Sequence, residues 1–362
     1  MTNSRIALSV LAASAIIFTG CGGGGSSKKG SGGGQGGGGQ GGGLTVISGK
    51  ITANKTLTAG KDWLLDGKVE VTAGATLTIE AGTRVAGKTG TNAWLLVHPN
   101  AKLNARGTAA SPIIFTSQEE ISGATGAPGQ WGGITLVGNA GNAQTTGYEV
   151  DGTMPGMGSN GDNSGALTHL VINNTGIAVE QDKEINGLSF VGVGSGTTVQ
   201  NISINRSGDD GIELWGGTVN LSNITIKGAQ DDSFDTDQGW AGTVDGLNIS
   251  DGVKAGIEMS GTSHATYKNV NIIVGAKNKK EGGLYFKAGD GEAIGGHFHN
   301  VTVVYNSATA EGHGAIHSKG TFDAANASFT NVKLSGSNAT RFSGPSAAAI
   351  EAKFNAGSGN SK

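Results

Sequence analysis

A single cysteine, Cys21, occurs among the 362 residues, so no intrachain disulfide can staple the fold. Prolines number only 5 and aromatics only 5%, and no segment carries a long amphipathic helical run. Charged residues make up 15%, well below ordinary usage, and the net charge is −3. Without a basic block there is no electrostatic case for nucleic acid as a partner. What the chain does have is 67 glycines, with Asn, Thr, Ser, Val and Ile dominating the rest. That mixture suits short strands joined by tight turns.

Arg5 precedes an apolar stretch, Ile6 to Phe18, too short to span a bilayer as a mature helix and patterned like an export signal. It ends in Phe18-Thr19-Gly20-Cys21, which resembles the lipobox of bacterial lipoproteins. The resemblance implies that residues 1–20 are a signal peptide and that Cys21 is the lipidation site, carrying several acyl chains into a lipid membrane. Gly22 in place of Asp implies, for a Gram-negative envelope, the outer membrane or cell surface. Residues 21–43 are almost all glycine and are expected to be a flexible tether, with a root-mean-square reach of about 25 Å and a stretched limit of about 75 Å.

From Leu44 onward one phrase recurs, beginning with Thr76-Leu77-Thr78-Ile79. Gly211-Ile212-Glu213-Leu214, Ser233-Phe234-Asp235-Thr236 and Gly256-Ile257-Glu258-Met259 follow at spacings of 22 and 23 residues. Gly283-Leu284-Tyr285-Phe286 and Ala315-Ile316-His317-Ser318 continue the series with longer spacings, as if segments were looped out. A period of this length built from strands predicts a solenoid with one coil per repeat. Ile212, Phe234, Ile257, Leu284 and Ile316 would then form an inward column, with each following residue pointing out. Trp63, Trp94 and Trp131 fall in early apolar strands and are expected in the core or packed on its end; Trp215 is placed outside.

The phrases Val71-Thr-Ala-Gly-Ala-Thr-Leu-Thr-Ile-Glu-Ala-Gly-Thr83, Gly107-Thr-Ala-Ala-Ser-Pro-Ile-Ile-Phe-Thr-Ser117 and Trp131-Gly-Gly-Ile134 resemble bacterial surface proteins of the pectate-lyase-like class. The resemblance implies an all-β fold, a right-handed parallel β-helix, over residues 44–340. Residues 118–165 interrupt the repeat and are expected to be one long excursion. In the tail, 341–362, Pro345 to Phe354 predicts a short C-terminal helix covering the last coil's edge.

Aligned repeats give an outward column of Ala178, Glu213, Asp235, Glu258, Tyr285 and His317, and a second of Glu180, Trp215, Asp237, Ser260, Lys287 and Lys319. Asp209-Asp210 and Asp231-Asp232 lead into neighbouring coils and make a candidate Ca²⁺ site, hard oxygen ligands being what that ion takes. Two unit charges one rung apart, about 4.8 Å, repel by about 0.9 kcal/mol in water and more where water is excluded. The columns therefore predict a face that binds a polysaccharide or a surface protein. Three functions follow. The leading one is a lipid-anchored attachment protein without catalysis. The second is a Ca²⁺-dependent polysaccharide lyase, with Lys287 or Lys319 as base, or a glycoside hydrolase using two carboxylates. The third is a purely structural envelope component. Asp and Asn at coil corners also have an ordinary use in binding turn backbones. Gly312-His313-Gly314 lies too many coils from the aspartates to join them, and His297 and His299 lack a third metal ligand.

Overall fold

A computed structural model describes residues 43–140, 152–153, 155–156, 158–180, 183–274, 281–306 and 313–362. Cys21, the leader 1–20 and nearly all of the tether lie outside these residues. None of the helices described is long and apolar enough to cross a membrane.

The chain winds as a right-handed parallel β-helix. On one face Trp94–Val97, Ile134–Val137, Leu188–Val191, Ile212–Trp215, Phe234–Asp237, Ile257–Met259, Leu284–Lys287 and Ile316–Lys319 stack in parallel, each paired with the next. The expected inward column is in register: Ile212 pairs with Phe234, Phe234 with Ile257, Ile257 with Leu284 and Leu284 with Ile316, and none of the five side chains is exposed. Stacked Tyr267, Phe298 and Phe329 show the same periodicity, with ring centroids 5.0 and 5.1 Å apart.

The other two faces are made by long strands bent at one left-handed residue each. Asn201, Asn223, Gly246, Asn269, Asn300 and Asn331 all have φ between 53° and 80° and occupy this corner in successive coils. Asparagine is favoured there because it tolerates the left-handed region better than other side chains with a Cβ. The corner residues also bond along the helix: Asn300 donates to Asn269 at 3.0 Å and Asn331 to Asn300 at 2.8 Å. Where Gly246 takes the position, the Asp245 carboxylate accepts from Asn269 instead.

Helix Ala347–Ala356 closes the C-terminal end and buries Ile350 and Phe354 against the last coil. Asn360 completes the closure: its Oδ1 accepts from the Val332 N–H, and its Nδ2 donates to the carbonyls of Phe329 and Phe354. Two expectations need correction. Residues 118–165 are not one excursion, because Ile134–Val137 is a full member of the first face, paired with Leu188–Val191. A second departure lies at 174–187, where Ala178–Glu180 and Lys183–Glu184 pair antiparallel. This segment leaves the coil because Leu188–Val191, not Ala178–Glu180, supplies the rung beneath Ile212–Trp215.

Candidate active site

The first outward column reads Ser189, Glu213, Asp235, Glu258, Tyr285 and His317, adjacent members being Cα partners. Ala178 and Glu180, aligned with it from the repeat, belong instead to the antiparallel pair. In the second column Val191, Trp215 and Asp237 are paired in turn, and Lys287 is paired with Lys319.

The turns leading into these strands supply more acids. Asn186, Asp210 and Asp232 occupy one position in three coils, and each binds the next coil's backbone: the N–H of Asp210 donates to Asn186, that of Asp232 to Asp210 at 2.8 Å, and that of Ala255 to Asp232 at 2.6 Å. One oxygen of each aspartate is thus committed to a turn. The four aspartates expected around one cation do not form one group. Asp209, Asp210 and Asp231 bring ligand atoms within 4.8 Å of one another, as do Asp210, Glu213 and Asp235, whereas Asp232 gathers with Glu258 and Glu281. Hard oxygen donors at that spacing could hold Ca²⁺. However, Lys254 already pairs with Asp231, and Lys287 with Glu258 at 2.5 Å, so two of the groupings contain a cation of the protein's own.

Burial decides the charge state of this face. Asp210, Glu213, Asp232, Asp235 and Glu258 are each at most 8% exposed. Loss of water pushes the Asp210 carboxyl well above its ordinary range, with the charges of Glu213 and Asp209 adding to the effect. Asp232 is raised by burial, by Glu258 and Asp235, and by a hydrogen bond to the Glu258 carboxyl. Asp235 is raised by burial and then by Glu258 and Asp237; its Oδ1 is buried without a hydrogen-bond partner. Glu213 is oriented by Asn186, whose Nδ2 donates to Oε2 at 2.5 Å. Protonated carboxyls beside other carboxylates are the arrangement that general acid catalysis needs.

Further along the face, Tyr285 is buried, its ring stacked on His317 at 5.2 Å, and His313 stacks on His317 at 3.8 Å. Burial, then His313, lowers the His317 imidazole to about 4, while burial and Glu258 raise the Tyr285 phenol to about 12. Lys287 was expected as a base. Burial works against its charge, but Glu258 outweighs burial and holds the ammonium protonated well above the ordinary lysine range. It is therefore a poor proton acceptor. An open groove of about 490 Å³ runs here, in which Glu213, Asp235, Asp237, Glu258, Asp290 and Glu292 face Lys287 and Lys319.

Trp215 also needs correction. It points away from the solenoid core as expected but is only 3% exposed, because residues 177–180 and 183–187 lie over it. Ile185, with Ile177 and Val179, packs there on Trp94, Leu96, Val137, Val191 and Trp215. Trp94 belongs to this outer cluster, whereas Trp63 and Trp131 are in the main core. Asn186, Lys254 and Glu281 were missed from sequence. Asn186 had a signal, since Asn186-Gly187-Leu188-Ser189 parallels Asp210-Gly211-Ile212-Glu213. His297 and His299 join none of the candidate metal groups found among the described residues.

The family model for the pectate-lyase-like β-helix domain matches residues 49–362, and the chain belongs to that family. No curated protein sequence matches it. Among solved structures, the catalytic domain of a GH87 α-1,3-glucanase in complex with tetrasaccharides is 14% identical with a TM-score of 0.47. That match covers 85% of this chain and 65% of the other, so the chain spans about two thirds of the glucanase domain. The same type of domain with nigerose matches at 14% identity and a TM-score of 0.42, over 85% and 64%. An alginate lyase from a Paenibacillus species matches at 11% identity and a TM-score of 0.34, over 73% and 91%. At these identities the likeness is one of fold.

The expectation of a non-catalytic attachment protein is corrected here. The family model that matches is that of the pectate-lyase-like β-helix domain, which sits better with the enzymatic alternative than with attachment alone. Burial is the physical reason, since a face built for solubility would carry exposed charges, whereas Asp210, Asp232 and Asp235 are buried and their carboxyls raised above the ordinary range.

Proposed function

We propose that the chain is a glycoside hydrolase acting on a neutral polysaccharide, exported and held at the cell envelope through acylated Cys21 and its glycine tether. The observation that carries the catalytic part is Asp235: it lines the groove, is raised above its ordinary range by burial, and has a buried oxygen without a partner. Asp235 gives its proton to the glycosidic oxygen as the bond to the anomeric carbon breaks. The Glu213 carboxylate, one coil below and with an oxygen within 4.8 Å of Asp235, bonds to that carbon as the leaving group departs, and a water that gives its proton to Asp235 then displaces Glu213 from it. Hydrolysis is favoured over lyase chemistry because Lys287, the amine nearest these acids in the column, is held protonated. A neutral substrate is favoured because the groove offers a polyuronate only two lysines among six carboxyl groups, and one of those lysines is spent on Glu258. A polyuronate would bring a further charge to each rung.

The test is release of reducing ends from a panel of α- and β-linked glucans and from polygalacturonate and alginate. Cleavage of a neutral glucan is expected, falling about 100-fold or more in Asp235→Asn and Glu213→Gln with the fold intact. An unsaturated product would show a lyase, and a complete lack of turnover would sink the enzymatic reading.

A further inference from the structure

The groove is not symmetric about its acids, and that asymmetry bears on where along a polymer the cut falls. Below Glu213 the outward positions continue as Ser189, Thr135 and Leu96, and beside them as Trp215, Val191 and Val137. On an open solenoid these six side chains would floor a groove. Here none is more than 3% exposed. Residues 177–180 and 183–187 cover four of them, Leu96, Val137, Val191 and Trp215, with Ile185 in the apolar cluster and Ile177 and Val179 packed against it. The antiparallel pair stiffens the segment, and the Ile185 N–H donates to the Ile177 carbonyl at 2.9 Å. Its last residues reach the acids themselves, because Asn186 donates to Glu213. On the other side, among the described residues, Lys287 and Lys319 are exposed and His317 is half-buried.

We infer that this wall makes the protein a chain-end enzyme, an inference that rests on the hydrolase reading above. A polymer enters over Lys319 and Lys287 and stops against Ile177, Val179, Ile185 and Asn186. Only the Glu213 rung separates Asp235 from the wall, and a hexopyranose unit is about as long as one rung is high. The bond presented to Asp235 is therefore the first or second from the end, and the product is a mono- or disaccharide. The wall does not lift readily, because lifting it would bring two tryptophans and several aliphatic side chains into water.

The experiment uses the full-length protein in detergent with soluble linear glucans, their oligosaccharides, and the same oligosaccharides cyclised or blocked at both ends. Product of one small size is expected from the first turnovers, with viscosity falling little per bond cut and with blocked or cyclic substrates cleaved at least 100-fold more slowly. A ladder of intermediate sizes from the outset, or equal cleavage of cyclic substrate, would overturn the chain-end inference and leave the hydrolase reading standing. Binding to Asp235→Asn separates the two claims further. If no glucan is hydrolysed, at least tenfold tighter binding of free-ended over blocked oligosaccharides would keep the closed wall while removing the hydrolase. Equal binding, or none, would overturn both.

Discussion

Asp235 lies one rung above Glu213, their Cα atoms paired across parallel strands, and each side chain is 8% exposed. Two carboxyls so placed cannot both ionise cheaply: at an effective dielectric of about 20 their repulsion at one rung is about 3.5 kcal/mol. Asp235→Asn removes that conflict. We expect it to raise Tm by about 2–4 °C while abolishing turnover, measured by calorimetry alongside the glucan assay. A fall in Tm would mean that the carboxyl is stabilising where it stands.

Acidity should stabilise the fold. Asp210, Asp232 and Asp235 have folded pKa values raised by burial, so the native state keeps protons that the unfolded chain releases above about pH 4. Their contribution is fully present below that pH and is lost as pH rises toward the folded values, each carboxyl costing about 1.4 kcal/mol per pH unit within the window. His317, lowered to about 4, acts with opposite sign, since protons taken up by the unfolded imidazole below about pH 6.5 destabilise the fold. His297, Glu70 and Asp323, also lowered, act as His317 does, while Asp237 and Glu281, raised by burial, add to the three aspartates, whose larger shifts decide the sign. Urea unfolding should show stability declining from pH 4 to pH 6, and a rise over that range would contradict the burial of the acids.

The pair between Lys287 and Glu258 is lopsided, the lysine side chain being 46% exposed and the glutamate 2%. Lys287→Ala leaves a buried carboxyl without its cation and should cost about 1–3 kcal/mol, part of the full burial penalty being lost to solvent screening. Adding Glu258→Gln should restore most of that stability in a double-mutant cycle. If the two effects simply add, the pair is not energetically coupled.

At the corner of the long strands, Asn300 combines φ 56° with hydrogen bonds to both neighbouring coils. Asn300→Ala should cost about 1–2 kcal/mol, from left-handed strain and the lost bonds. Asn300→Gly should cost about half as much, because glycine removes the strain alone. Thermal unfolding of the two variants distinguishes the contributions.

For the proposed anchor, Cys21→Ser should move the protein from the detergent phase to the aqueous phase on Triton X-114 partition, with turnover of soluble glucan unchanged. A protein that stays in the detergent phase would rule out lipidation at this residue.

The solenoid was legible because burial on one side leaves a strict record: Ile212, Phe234 and Ile257 must be apolar at a fixed interval. The acids were legible for the same reason, each following its core residue by one position. The cover over Trp215 was not. Residues 174–187 fall outside the repeat, and Ala178-Val179-Glu180 mimics a rung well enough to have been aligned as one. Charge state was equally hidden, since nothing in the order of residues tells that Glu258 and Asp232 lose their water. The asparagine corner had a clear pattern that went unread: Asn223-Ile224-Thr225-Ile226, Asn269-Val270-Asn271-Ile272 and Asn300-Val301-Thr302-Val303 repeat one phrase. Its meaning lies in a backbone angle, which composition does not display.

Successive asparagine corners are 22 residues apart at Asn201 and Asn223 but 31 apart at Asn269 and Asn300, yet the strands around them stay in register. Coil length is therefore free to vary while rung height is not. A whole rung could be spliced in beyond Lys319, lengthening the trough by one sugar, and the spacing of Glu213, Asp235 and Glu258 would not change. Such a fold separates how much substrate is gripped from how it is cut.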